Sequence, residues 1–143
     1  MRGVGCFIAR KTGKRTDAED FVNNEIMNLK LRGYCCSQIV MQIGLEKLGK
    51  DNDDLVAAMA GLCNGMETGK VCGCLSAGIC LMFLADPEGT SRRGASEMTD
   101  WFAESFGETD CSKLLEGKLS NKVELCPVLI ENTLKKVEEI LEW

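Results

Sequence analysis

Apolar residues in this chain recur at three- and four-residue intervals, and no segment keeps the two-residue alternation of a half-buried strand. Thr16-Asp17-Ala18-Glu19 reads as a capping box, a hydroxyl with a glutamate three residues on. It opens a helix to about Lys30 with Ala18, Val22, Ile26 and Leu29 on one stripe, stopped by Gly33. A second helix begins near Cys35 or Cys36. It is apolar on nearly every side through Ile39, Val40, Met41, Ile43, Leu45 and Leu48, which predicts a central, buried position. Gly49 ends it, and the polar run Lys50 to Asp54 caps a third helix over Asp54 to Cys63, with Leu55, Met59 and Leu62 inward.

Asn64 to Lys70 reads as a loop, with Gly65 and Gly69 allowing backbone shapes closed to other residues. A fourth helix runs from Gly73 to Ala85. Its first turns carry Gly73, Ser76, Ala77 and Gly78, small enough to admit another backbone or a cluster, and Asp86-Pro87 ends it. After a polar loop from Glu88 to Gly94 comes a fifth helix with Met98, Trp101, Phe102 and Phe106 on its core side, stopped by Gly107. A short helix spans Cys111 to Glu116. The last runs from Pro127, at the first helical position, to about Glu142, with Ile130, Leu134, Val137 and Leu141 inward. The pattern predicts an all-α fold: an irregular arm over residues 1–15, then a single domain of six or seven helices over 16–143.

A chain of 143 residues, 45 % hydrophobic, can bury a core without disulfide staples. The net charge of −5 offers no basic footprint for nucleic acid. The longest apolar candidate, Leu75 to Ala85, falls short of the roughly 20 residues of a membrane span. The basic start carries only the apolar stretch Val4 to Ala9, too short for a signal peptide. A cytoplasmic, reducing location is the expectation, where cysteines serve metals or catalysis more often than structure. Histidine is absent, which removes Ser-His-Asp and Cys-His catalysis, His-ligated zinc and c-type haem.

Nine cysteines remain, an odd number that cannot pair completely. Cys36, Cys72, Cys111 and Cys126 each fall where a helix is predicted to begin. There the free N–H groups and the positive end of the helix dipole favour thiolate. Thiolate ligates soft metals and performs thiol redox chemistry. There is no C-x-x-C; Cys72-Gly73-Cys74 is C-x-C and Cys35-Cys36 is vicinal. Cys63 and Cys80, inside helices, read as small packing residues, and Cys6, in the arm, as a free thiol. The chemistry open to the helix-end set is an iron–sulfur cluster, a four-cysteine zinc site, or a thiol–disulfide relay through pairs such as Cys72–Cys111 or Cys72–Cys74. Gly61, Gly65 and Gly69 do not make a nucleotide loop, and Asp51, Asp53 and Asp54 fit helix capping better than calcium.

Gly33-Tyr34-Cys35-Cys36-Ser37-Gln38, a glycine loop, Cys72-Gly73, Phe106-Gly107 before Cys111, and then Cys126-Pro127 together resemble the C_GCAxxG_C_C family of redox-active proteins, over roughly residues 20–140. The resemblance places the family cysteines at Cys36, Cys72, Cys111 and Cys126. On Cys72-Gly73-Cys74-Leu75-Ser76-Ala77 it finds Cys74 where alanine is expected and Ala77 where glycine is, and a shift of register makes Cys74 the family cysteine instead. Cys35 duplicates Cys36 in the same way. A related module in split-Soret cytochromes is associated with an iron–sulfur cluster, which implies iron ligation by these four, and electron transfer or redox sensing with a redox partner protein. The haem half of those proteins is absent. Zinc is the alternative metal, an oxidoreductase component the alternative role, and Trp143 a candidate contact in a homodimer.

Overall fold

The structure, a computed structural model, describes residues 16–88 and 90–143, with backbone only for residues 90–92. The expected arm, Cys6 included, lies outside the described residues. Among the described residues there are seven α-helices and no strand: α1 (Asp17–Leu31), α2 (Cys36–Lys47), α3 (Asp53–Ala58), α4 (Gly73–Ala85), α5 (Thr90–Phe106), α6 (Cys111–Leu114) and α7 (Lys122–Leu141). Short 3-10 turns at Met59–Leu62 and Leu119–Asn121 follow α3 and precede α7.

The capping box forms as expected: the Glu19 N–H donates to Thr16 Oγ1 and the Thr16 N–H to Glu19 Oε1, both at 3.0 Å. At the other end of α1, Gly33 takes φ +91°. The Tyr34 N–H then reaches back to the Leu29 carbonyl (3.1 Å), a glycine stop that turns the chain straight into Tyr34-Cys35-Cys36. In α3 the cap is Asn52, whose Oδ1 accepts from the Leu55 N–H at 3.0 Å, with Asp53 and Asp54 in the first turn.

Helix α4 is the spine, packing against α2, α5 and α7. Three glycines make those approaches possible. A Cβ on Gly44 of α2 would stand 2.3 Å from Leu81 Cδ2, and one on Gly78 of α4 would stand 2.9 Å from Thr133 Cγ2. Gly94 is the third, facing Met82 Cε at 2.5 Å and Ile140 Cγ2 at 3.1 Å. Around this spine Ile39, Leu75, Met82, Phe102, Phe106 and Ile130 are buried to within 1 %. Phe102 and Phe106 meet edge to face at 4.8 Å, and Trp101 adds its edge to both. Ion pairs Glu19–Lys135 and Lys47–Glu138 pin α1 and α2 to α7.

Two helix boundaries differ from the pattern. Gly94 is a packing residue rather than a loop residue, so α5 starts at Thr90, earlier than the polar composition predicts. Helix α7 starts at Lys122, and Pro127 lies inside it. The proline removes only the N–H owed to the Val123 carbonyl, and Val123 is itself exposed, so water can serve that acceptor. Cys126 therefore does not stand at a helix start. The third predicted helix also breaks early: α3 gives way to a 3-10 turn, and Cys63 is extended (φ −61°, ψ 143°) rather than helical.

Candidate functional site

Cys36 is the first residue of α2, with Cys35 as its extended N-cap, held by the Cys35 N–H donating to Gln38 Oε1 (3.1 Å). Cys72 is the N-cap of α4. Cys111 is the first residue of α6. These three take the helix-end positions that the sequence predicts.

Cys72 and Cys111 are brought together by backbone. Val71 and Asp110 form an isolated antiparallel bridge, flanked by the Cys72 N–H donating to the Thr109 carbonyl (2.8 Å) and the Cys111 N–H donating to the Lys70 carbonyl (2.7 Å). In such a bridge the residues after each partner lie on the same face as diagonal neighbours. Ser112 Oγ, donating to the Gly69 carbonyl at 3.0 Å, fastens the same crossing.

Cys36 reaches this place from the other side. A Cβ on Gly73 would lie 2.9 Å from Cys36 Sγ and 2.9 Å from the Leu62 carbonyl oxygen, so only glycine leaves room for the sulfur over the start of α4. Cys74, fully buried in the first turn of α4, lies beside Cys36 and Cys72. Cys126, 5 % exposed, completes the group from α7 and feels the charges of Cys36 and Cys72. Four separate segments thus deliver Cys36, Cys72, Cys74, Cys111 and Cys126 to one buried region.

The thiols are not equivalent. The Cys74 hydrogen bond draws the Cys36 thiol down to about 7. The positive charges of Lys122 and Lys30 and the Ser37 N–H act with it, against burial. Cys74 is pushed well up, by its hydrogen bonds to Cys36 and Cys72, by burial and by their charge, so it is the proton donor of the pair. Burial, then the charges of Cys72 and Cys36, raises Cys111. Cys126 is pushed up to about 12 by burial first and by Cys36 and Cys72 next. Of these four, Cys36 is the thiol nearest to ionising at neutral pH, while Cys74, Cys111 and Cys126 are all held toward the protonated form.

Lys122 Nζ also bonds Asn64 Oδ1, at the start of a left-handed turn beside the site. Asn64, Gly65, Met66 and Glu67 have φ of 54°, 61°, 58° and 58° in succession. A non-glycine residue in this conformation costs roughly 1–2 kcal/mol, and three of these four have side chains. The loop expected at Asn64 to Lys70 is there, but its shape is far more specific than its two glycines signal. A cleft of about 280 Å³ between this turn and the segment after Cys111 reaches the Cys111 side of the thiol group, with Asn64, Glu67, Ser112 and Lys118 among its walls.

Two further cysteines were misassigned by the sequence. Cys63 is not mere packing: it forms a disulfide with Cys35, Cα to Cα 6.2 Å, across 28 residues. Cys80, on α4, is exposed rather than buried. Among the described residues no three cysteine, aspartate or glutamate side chains are arranged to hold a single metal ion.

An all-α core that gathers several cysteines, one of them with its thiol lowered to about 7, defines a small cysteine-centred helical protein. The chain belongs to the C_GCAxxG_C_C family, described as "putative redox-active protein", whose profile matches residues 34–140. No curated protein and no solved structure matches the chain. The family's Gly-Cys-Ala-x-x-Gly falls in register on Gly73-Cys74-Leu75-Ser76-Ala77-Gly78, with leucine in place of alanine. That register puts the motif's cysteine on Cys74, two residues beyond Cys72. Both motif glycines have steric reasons here: Gly73 clears Cys36 Sγ and Gly78 clears Thr133.

Proposed function

We propose that the thiol centre holds an iron–sulfur cluster and serves electron transfer or redox sensing, with Cys36, Cys74, Cys111 and Cys126 as ligands and Cys72 as a neighbouring fifth thiol. The observation that carries this reading is the delivery of five cysteines from four segments to one buried place, over a glycine whose Cβ would collide with Cys36 Sγ. The donor set is all soft sulfur, with no histidine in the chain. A polynuclear cluster puts its thiolates on different iron atoms, so it asks for wider spacing than a single zinc ion, whose four sulfurs must sit about 2.3 Å from one point. Lys30 and Lys122 offset the anionic charge of a thiolate-ligated cluster. The bound group would supply one-electron chemistry; the protein supplies burial, N–H groups at helix starts and the two lysines, which tune the potential.

Protein purified without oxygen is expected to be brown, with iron and acid-labile sulfide in similar amounts. Cys74→Ser is expected to lose both, while Cys72→Ser retains them. Colourless, iron-free protein after anaerobic reconstitution would overturn the reading, and zinc in its place would make the centre a metal store without redox chemistry.

A second reading is favoured by the pairing of Cys36, its thiol lowered to about 7, with neighbouring Cys74, its thiol raised. That pair is poised for thiol–disulfide exchange without any metal. It expects a Cys36–Cys74 disulfide to form and break reversibly in iron-free protein, as read by peptide mapping.

A further inference from the structure

Cys35 and Cys63 are joined by a disulfide, whereas the cysteines of the neighbouring thiol centre are free. The surroundings of the pair suit both of its redox states. Ser37, fully buried, donates its one hydroxyl proton to the Met59 carbonyl at 2.7 Å. Its lone pairs then face Cys35 Sγ at 3.3 Å and Cys63 Sγ at 3.4 Å. A disulfide sulfur has no proton to give, so these contacts become hydrogen bonds only when the two cysteines are reduced. The structure thus keeps an acceptor ready for two S–H groups that would otherwise be buried and unsatisfied.

The pair also occupies a mechanical position. Cys63 immediately precedes the left-handed turn Asn64–Glu67. The far end of that turn is tied to the α6 segment through the Gly69 and Lys70 carbonyls. The disulfide ties the near end to the start of α2, so strained backbone is held between two anchors, one of them covalent.

We propose that Cys35–Cys63 is a second redox site, a reversible two-electron dithiol–disulfide couple that locks the left-handed turn when oxidised and releases it when reduced. The co-reactant is a dithiol, a small molecule or a partner protein's pair. Cys35 is partly exposed and Cys63 is buried, so the entering thiolate attacks Cys35 Sγ. The Cys35–Cys63 bond breaks, and its electron pair leaves on Cys63 Sγ, which takes a proton. The second thiol of the reductant then attacks its own sulfur in the mixed disulfide. This releases Cys35, which takes the second proton, and leaves the reductant as a disulfide. Two electrons and two protons enter the protein, and an oxidised thiol such as a disulfide of a small cysteine-containing peptide reverses the step.

The proposal stands on the bond and the turn alone, so it holds whether or not the thiol centre carries iron. The test is hydrogen exchange of the amides of residues 64–70, followed by mass spectrometry in protein with the pair closed and in protein with it opened by dithiothreitol, with peptide mapping of both states and iron content measured alongside. Exchange at 64–70 is expected to be at least about tenfold faster in the opened form, with the α4 amides of residues 75–82 unchanged. The bond is expected to re-form on adding oxidised glutathione. The paired variant Cys35→Ser, Cys63→Ser should exchange at the fast rate with or without reductant; if it does not fold, the wild-type comparison decides. Ser37→Ala removes the acceptor from the reduced state and is expected to shift the dithiothreitol equilibrium toward the disulfide by about threefold or more. Equal exchange rates in the two forms, or a bond that once opened does not re-form, would overturn the proposal.

Discussion

Cys74→Ala removes the hydrogen bond that is the largest cause of the low Cys36 pKa. From 9.0 down to about 7 is two units, about 2.7 kcal/mol of preference for thiolate. A hydrogen bond to a charged group contributes about 1.5–3 kcal/mol, so one contact can account for most of the shift. Burial opposes it and persists in the variant, as do the attractions of Lys122 and Lys30. The Cys36 pKa is therefore expected to rise by between about one and two units in metal-free Cys74→Ala. At pH 7 the thiolate fraction falls from about one half to between about 10 % and 1 %. The assay is the pH profile of iodoacetamide labelling at Cys36, resolved by peptide mapping, with the Cys35–Cys63 bond left closed so that Cys36 is followed separately from Cys35. Labelling near neutral pH should slow by roughly five- to fiftyfold, with the inflection moved alkaline. An inflection that stays near 7 in the variant would show that the lysines or the helix start, rather than Cys74, set the reactivity, and the reasoning from the sulfur–sulfur contact would fall.

Other outcomes follow from the same structure. Because the Cys36 pKa is depressed on folding, its contribution to stability is complete above about pH 9 and is lost as pH falls through about 7. Urea unfolding of metal-free protein should strengthen by about 1–2 kcal/mol from pH 7 to 9 and not do so in Cys36→Ser. Cys126 acts the other way, since its pKa is raised: stability should fall as pH climbs from 9 toward 12. Gly73→Ala forces a Cβ against Cys36 Sγ and the Leu62 carbonyl, and should cost about 1–3 kcal/mol in urea midpoint analysis. Thr133 Oγ1 is buried without a hydrogen-bond partner, so Thr133→Val should raise the unfolding free energy by about 1 kcal/mol. Met66, exposed at φ 58°, should be destabilised by about 1 kcal/mol or more as valine and not as glycine.

What was legible in the chain was whatever repeats locally. The capping box at Thr16, the glycine stop at Gly33 and the apolar α2 each follow from residues a few positions apart, and each forms as the sequence predicts. Gly94 and Pro127 misled because each residue type has two uses. Glycine marks a loop or a close helix contact, and proline marks a first turn or a tolerated interior break; only the neighbours Met82, Ile140 and exposed Val123 decide. At the centre, helix-end placement pointed to Cys36, Cys72 and Cys111. It could not reveal Cys74, whose importance comes from facing Cys36 and Cys72 across the turn of α4. The resemblance offered it as the alternative register, and Gly73 and Gly78, five apart around Cys74-Leu75-Ser76-Ala77, are what favours that register. The Cys35–Cys63 bond left no signal at all, because 28 residues separate its ends and the packing of Ser37 on Met59 brings them together.

The bridge between Val71 and Asp110 sets a timetable for biosynthesis. During translation Cys36, Cys72 and Cys74 leave the ribosome long before Cys111 and Cys126, and the first three cannot be enclosed until the later segment arrives to cross Lys70 and Thr109. Closure over the early thiols therefore waits until the segment around residue 109 has emerged, and a chain truncated ahead of residue 109 would leave those thiols open to oxidants with nothing to cover them.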